Sequence, residues 1–141
     1  MTAITDFREK YFFLSNFYNS PVTYDGLTYM NSEAAFQAQK CITLAGKQRF
    51  TNLGPSEAKK LGRQVYLRSD WEQVKVHMMY DIVLAKFKQN PSLAEQLIAT
   101  DDSYLEEGNN WGDKTWGTVN GVGENHLGKI LMRVRDELKN G

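Results

Sequence analysis

Apolar positions in the first thirty residues fall in short runs rather than at helical spacing. Tyr11–Leu14, Val22–Tyr24 and Leu27–Tyr29 read as extended pieces. Asp25-Gly26 supplies the two positive φ angles of a tight hairpin between the last two. From Asn31 onward the spacing turns helical. Asn31 caps a predicted helix running to about Ile42, with a small apolar face of Ala34, Ala35, Ala38, Cys41 and Ile42 opposite Glu33, Gln37 and Lys40. Pro55 opens a short helix ending near Arg63, and Ser69 with Glu72 forms a capping box for a helix from about Asp70 to Lys88. That helix carries two apolar stripes, Trp71, Val74, Met78, Ile82 and Ala85 on one side and Val76, Tyr80, Val83 and Phe87 on another, which places it centrally. Asn90-Pro91 starts a helix through roughly Ala99, and Leu127, Ile130, Leu131, Val134 and Leu138 mark a last helix from about Leu127 to Leu138.

These elements predict one compact α+β domain over residues 1–141, predominantly helical, with small antiparallel β elements. A chain of 141 residues is long enough to bury a core without staples. The 17 Lys and Arg residues balance 17 Asp and Glu without a block of like charge, so net charge gives no support to a polyanion-coating role and leaves local basic patches open. The lone Cys41 cannot form an internal disulfide, and no run is apolar enough to serve as a signal peptide or to cross a bilayer. A soluble, reducing, cytoplasmic setting is expected. His77, His126 and Cys41 lack paired ligand spacing, so no metal site is expected. His77, inside the central helix, reads as structural, and Cys41 as a small core hydrophobe.

Two segments carry candidate chemistry. On the first predicted helix, Glu33 and Lys40 lie seven residues apart and so return to nearly one face, with Gln37 between them. Periodicity alone favours a solvated face opposite the alanines. Glu33, however, sits in the first turn, where the positive helix end favours a carboxylate. The second segment sets Trp111 and Trp116 around Asp113 and interleaves Gly108, Gly112, Gly117, Gly121 and Gly123 with asparagines. Helix and strand cores do not normally have that composition, whereas a loop approaching a flat, charged ligand does. Its glycines and the helix start near Asn125 to Gly128 could offer N–H groups to an anion. No Walker or Rossmann fingerprint is present. Arg63 and Arg68, flanking Val65-Tyr66-Leu67, could clamp a diphosphate or be ordinary surface arginines.

The chain resembles the NADAR family of YbiA-like N-glycosidases nearly end to end. The resemblance rests on Phe13-Leu14-Ser15-Asn16-Phe17-Tyr18, Ser32-Glu33 through Ala38-Gln39-Lys40, Ala58-Lys59-Lys60-Leu61-Gly62-Arg63, and Asp70-Trp71 with Val74-Lys75 and Met78. It continues through Lys86-Phe87 with Gln89-Asn90-Pro91, Trp116-Gly117, and Gly123 through Met132 with Arg135. The resemblance implies a mainly helical α+β fold that cleaves N-glycosidic bonds in ADP-ribose adducts, such as ADP-ribosylated guanine, or in phosphoribosyl-amine intermediates of riboflavin synthesis. Many members carry a histidine directly after the glutamate. Ala34 stands there in this chain, so no proton-transfer role is carried to that place. Gly108 through Asp113 looks like a variant seen in phage-encoded members rather than the riboflavin-linked form.

The implied machinery is Glu33, Lys40 and Asp113 as catalytic groups, with Asn16, Gln37, Arg63, Trp111, Trp116, Gly117, Asn125 and Gly128 contacting substrate, and no cofactor. The partner expected is a small nucleotide or ADP-ribose-containing substrate, free or carried on nucleic acid, with no membrane. The alternative is a non-catalytic NAD or ADP-ribose binding module using the same pocket. A purely structural role would need an exposed apolar stripe, and none stands out.

Overall fold

The computed structural model describes residues 2–141, which fold as two units. One spans Asn16–Asn90; the other joins the residues through Ser15 to Pro91–Gly141. The class is α+β: six α-helices, one 3-10 helix and two small two-stranded sheets among the described residues.

In the Asn16–Asn90 unit, β2 (Val22–Tyr24) and β3 (Leu27–Tyr29) form the expected antiparallel hairpin, Thr23 opposite Thr28. Its turn residues Asp25 and Gly26 take φ of 50° and 86°, the two positive angles a two-residue hairpin loop demands. The side chain of Asn31 caps α1 (Ser32–Ala38), accepting from the Ala34 N–H at 2.7 Å. The helix stops four residues earlier than Ile42, and every residue of it is buried. The expected division into a core face and a solvated face is therefore absent, and Ile42 is exposed. Two short helices follow, α2 (Leu44–Gln48) and α3 (Pro55–Gly62). α3 packs closely on α1, because Gly62 has no side chain where a Cβ would meet Gln37 Oε1 at 2.0 Å.

The long helix α4 (Trp71–Gln89) packs on α1 and β2. Ser69 and Glu72 do not form the expected capping box: Asp70 is the N-cap without a side-chain bond and pairs with Arg68, while Glu72 pairs with Lys75. The buried stripe is Trp71, Met79, Ile82, Val83, Lys86 and Phe87, with Met79 rather than Met78 facing inward. His77 is correspondingly exposed, within 3.4 Å of Asp81, and not the structural residue expected. Lys86 is buried with the rings of Tyr18 and Phe87 nearby, and burial pushes its amine down to about 7.

In the other unit, the segment expected to be extended, Tyr11–Leu14, belongs to a 3-10 helix, Glu9–Leu14. The strand β1 (Ala3–Ile4) pairs in parallel with β4 (Tyr104–Leu105), a pairing across about a hundred residues that local pattern cannot announce. Helix α5 (Pro91–Ile98) packs on α6 (His126–Asn140). Arg135 ties their ends together, donating to Thr100 Oγ1 and to the Ser103 carbonyl, both at 2.9 Å.

Candidate active site

The N-terminal turn of α1 is fixed from below by Asn16. Its carbonyl accepts the Glu33 N–H at 3.1 Å, its Oδ1 accepts the Ser32 hydroxyl at 2.9 Å, and its Nδ2 lies 3.3 Å from the Met79 sulfur. The carbonyl and both side-chain polar atoms of Asn16 are thus engaged inside the fold. It positions Glu33 through the backbone and Ser32.

Glu33 is buried, 8% exposed, and Gln37 one turn along donates from Nε2 to its Oε2 at 2.7 Å. The i,i+4 geometry of a helix makes that contact possible. The Gln37 Oε1 atom points toward Gly62 and is buried with no hydrogen-bond partner. Buried acceptors are almost always bonded, so an orphan beside a buried carboxylate marks a place where packing alone does not set the arrangement. Lys40 follows the end of α1 and is partly exposed; its Nζ donates to the Gly62 carbonyl at 3.2 Å and lies 5.9 Å from the centre of the buried Trp71 ring. Burial lowers its pKa below the ordinary lysine value and Arg63 adds to that, while the Glu33 charge opposes it. Glu33, Gln37, Lys40, Gly62 and Trp71 therefore form one cluster built on α1, the end of α3 and the start of α4. Arg63 stands at its edge, exposed. Gly62 and Trp71 were not among the expected site residues. Both lie in segments that carry the family resemblance, and Gly62 also closes a helical stretch.

In the other unit, residues 105–125 form a loop scaffold tied by side chains. Asn109 Oδ1 accepts from the Trp111 and Asp113 N–H groups, and its Nδ2 donates to the Asp113 carbonyl. Asp113 Oδ1 accepts from the N–H groups of Thr115 and Trp116 at 3.0 and 2.9 Å. Trp111 is 59% exposed, whereas Trp116 is half-buried with its ring edge-on to His126.

The residues expected to cradle an anion are used differently. A Cβ on Gly117 would meet the Glu107 carbonyl at 2.0 Å, and one on Gly128 the Leu105 carbonyl at 2.1 Å, so both glycines exist for close packing. Asn125 enters α6 in the left-handed region at φ 53°. Its Oδ1 accepts the Glu107 N–H, and its Nδ2 donates to the Leu105 carbonyl. The N–H groups of His126 and Leu127 are bonded to the Thr115 and Trp116 carbonyls. Gly117, Asn125 and Gly128 thus hold the loop to β4 and α6, and the start of α6 has spent these donors internally. Among the described residues no group of three or more His, Cys, Asp or Glu could hold a metal ion, and no helix is long and apolar enough to cross a membrane.

The family model of the NADAR domain matches residues 5–139. The riboflavin biosynthesis protein VVA0006 of Vibrio vulnificus is 39% identical over 135 residues, which is 93% of this chain and 36% of that protein. The chain thus spans about a third of that relative. The N-glycosidase YbiA of Escherichia coli (strain K12) is 37% identical over 128 residues, covering 88% of this chain and 79% of that one. The NMR structure of the E. coli protein YbiA matches with a TM-score of 0.88 at 34% identity, over 99% of this chain and 86% of that one.

Proposed function

Because the chain belongs to the NADAR family and is a hydrolase acting on N-glycosyl bonds, we propose that it cleaves the ribosyl C–N bond of an ADP-ribose adduct, such as ADP-ribosylated guanine. A phosphoribosyl-amine intermediate of riboflavin synthesis is the related substrate that the name of the Vibrio relative favours. The observation that carries the reading is a buried carboxylate, Glu33, held by Gln37 beside an amine whose protonation burial disfavours.

Breaking a ribosyl C–N bond builds positive charge on the sugar. A fixed carboxylate in a water-poor setting stabilises that charge better than the same group in bulk water. Glu33 takes this role, oriented by Gln37 and by the Asn16 lock on its backbone. Lys40 either holds the ribose or phosphate as a cation or attacks the anomeric carbon. In the second course, a new C–N bond from Nζ forms as the bond to the base breaks, and the base leaves with the proton. The ring oxygen then departs from the anomeric carbon and takes up the proton released by nitrogen, giving an imine. Water hydrolyses the imine, returning the amine and the free sugar. Arg63, exposed beside Lys40, suits a substrate phosphate. For the other unit the proposal is separate. Asp113 spends Oδ1 on its turn and keeps Oδ2 for a ribose hydroxyl or a water, and the exposed Trp111 offers a face to an aromatic base; Trp116 is the second candidate for that stacking.

The test is incubation of the pure protein with ADP-ribosylated guanosine, NAD and a ribosyl-phosphate pyrimidine, with the released base followed by chromatography. Release from the guanosine adduct is expected, and release from none of the three overturns the reading. Borohydride added during turnover is expected to leave a reduced sugar on the Lys40 peptide, absent in Lys40→Arg; cleavage without any adduct assigns Lys40 to positioning.

A further inference from the structure

Gly62 closes α3 in ordinary helical backbone and is not one of the chain's positive-φ glycines, so its conformation does not call for a residue without a side chain. Alanine is the better helix former at such a position. What alanine lacks here is room. A Cβ built on Gly62 meets the Gln37 side chain, 2.0 Å from Oε1 and 2.8 Å from Cδ. That amide is the one whose nitrogen donates to Glu33 Oε2 at 2.7 Å. The orientation of the buried carboxylate therefore depends on the absence of a methyl group on a different helix.

The carbonyl of the same residue meets the amine of Lys40. At the end of a helix the last carbonyls lose their intrahelical partners. Those of Lys60 and Leu61 recover partners from the N–H groups of Arg63, Gln64 and Val65, and that of Gly62 accepts from Lys40 Nζ at 3.2 Å. The partial negative charge of a helix C-terminus suits such a donor. α3 is held in this place from both ends. Asn31, the cap of α1, also donates from Nδ2 to the Leu53 carbonyl just ahead of α3 at 3.1 Å, and beyond α3 the Arg68 N–H donates to the Lys40 carbonyl at 3.0 Å. Gly62 is thereby delivered to the side chains of Gln37 and Lys40 together.

We propose that Gly62 is a positioning residue for bond cleavage: its bare α-carbon seats the amide that orients Glu33, its carbonyl seats the Lys40 amine, and one backbone position so sets the two reacting groups relative to each other. Packing of α3 on α1 for stability alone would favour alanine, and the seat left for Gln37 accounts for the glycine. That Glu33 and Lys40 react rests on the glycosidase reading; the seating of their side chains by Gly62 does not.

The test is Gly62→Ala in the full chain, alone and combined with Gln37→Ala. In the amide NMR spectrum the Gln37 side-chain signal should move toward that of free amides and exchange faster with water in Gly62→Ala, while the urea midpoint holds or rises. For base release from ADP-ribosylated guanosine, kcat should fall about tenfold or more with a smaller change in KM. The pH below which turnover declines should shift upward, because a carboxylate that loses a donated hydrogen bond holds its proton more tightly. Gln37→Ala should show the same losses. Adding Gly62→Ala to it should cost nothing further, since the amide that the methyl group displaces is gone. Losses that add in the double variant, an amide signal that stays in place, or a fall in the urea midpoint large enough to account for the lost activity overturns the proposal. Should no ribosyl substrate lose its base even with the unaltered protein, the glycosidase reading fails, and the amide signal still decides whether Gly62 seats Gln37.

Discussion

The two units handle polar residues in opposite ways. In the Asn16–Asn90 unit regular helices satisfy most of the backbone, so Glu33 and Gln37, which bond each other, are not needed to hold the chain's course. Their placement on a fully buried helix carries a desolvation cost that helix formation does not require. In the other unit, residues 105–125 have little regular structure, and the side chains of Asn109, Asp113 and Asn125 supply the hydrogen bonds that a ladder or helix would otherwise give. A polar residue in a helix interior thus points toward chemistry more directly than one in a glycine-rich loop, where the same residue types serve as scaffold. The units also differ in charge: ten Lys and Arg against six Asp and Glu in the first, seven against eleven in the second. The positive excess accordingly belongs to the first.

Substitutions can separate the two regimes. The largest effect is expected of Glu33→Gln, which keeps shape and removes the charge. Single-turnover cleavage should fall by on the order of 3 kcal/mol or more, a factor of a hundred upward, while substrate binding and the folded signal persist. Unchanged single-turnover rates would remove Glu33 from the mechanism. Gly128→Ala should do the reverse. Its new methyl group meets a backbone carbonyl that cannot swing away, so urea unfolding should show a loss of about 1–3 kcal/mol, with activity per folded molecule retained. A stability equal to that of the unaltered chain would contradict the close-packing role.

Asp113→Asn falls between these regimes. The amide oxygen can still accept from Thr115 and Trp116, so the melting temperature should hold. Turnover should drop about tenfold, roughly 1.4 kcal/mol, if the charge on the remaining oxygen serves substrate. An undiminished rate would make Asp113 a turn residue only. The smallest effect concerns pH. Burial lowers the Lys40 pKa, so its free amine appears at lower pH than that of an exposed lysine. A rate limited by amine attack should climb with pH toward that lowered pKa and level off above it, and the climb should vanish in Lys40→Arg.

Much of the local architecture was legible because single residues dictate it. Asp25-Gly26 forces the hairpin, Asn31 caps α1, and Pro55 and Pro91 open helices where they stand. The failures share a cause, which is that partners distant in sequence or local competitors decided the outcome. Burial of the whole of α1 follows from packing by α3 and α4, so periodicity could not reveal that Glu33 and Gln37 are enclosed. The pattern at Ser69 and Glu72 read as a capping box, but Asp70 and Glu72 found cations nearer at hand. The Glu33–Gln37 contact was legible from spacing; the Lys40 bond to Gly62 and the Cβ-free approach at Gly62 were not, because both depend on where α3 lands.

The unbonded Gln37 oxygen has a consequence for how this protein rests. While Glu33 is a carboxylate it can only accept, so Gln37 must turn its amide nitrogen toward it and leave the carbonyl oxygen dry against Gly62. The arrangement is locally frustrated, since no rotation of that one amide satisfies both ends as long as its neighbour bears the charge. Replacing the carboxylate by an amide removes the buried charge and leaves a group that can donate as well as accept. Glu33→Gln should therefore melt at or above the temperature of the native chain even as its chemistry is lost. The buried carboxylate and the unbonded oxygen thus sit side by side at the residue where bond breaking is assigned.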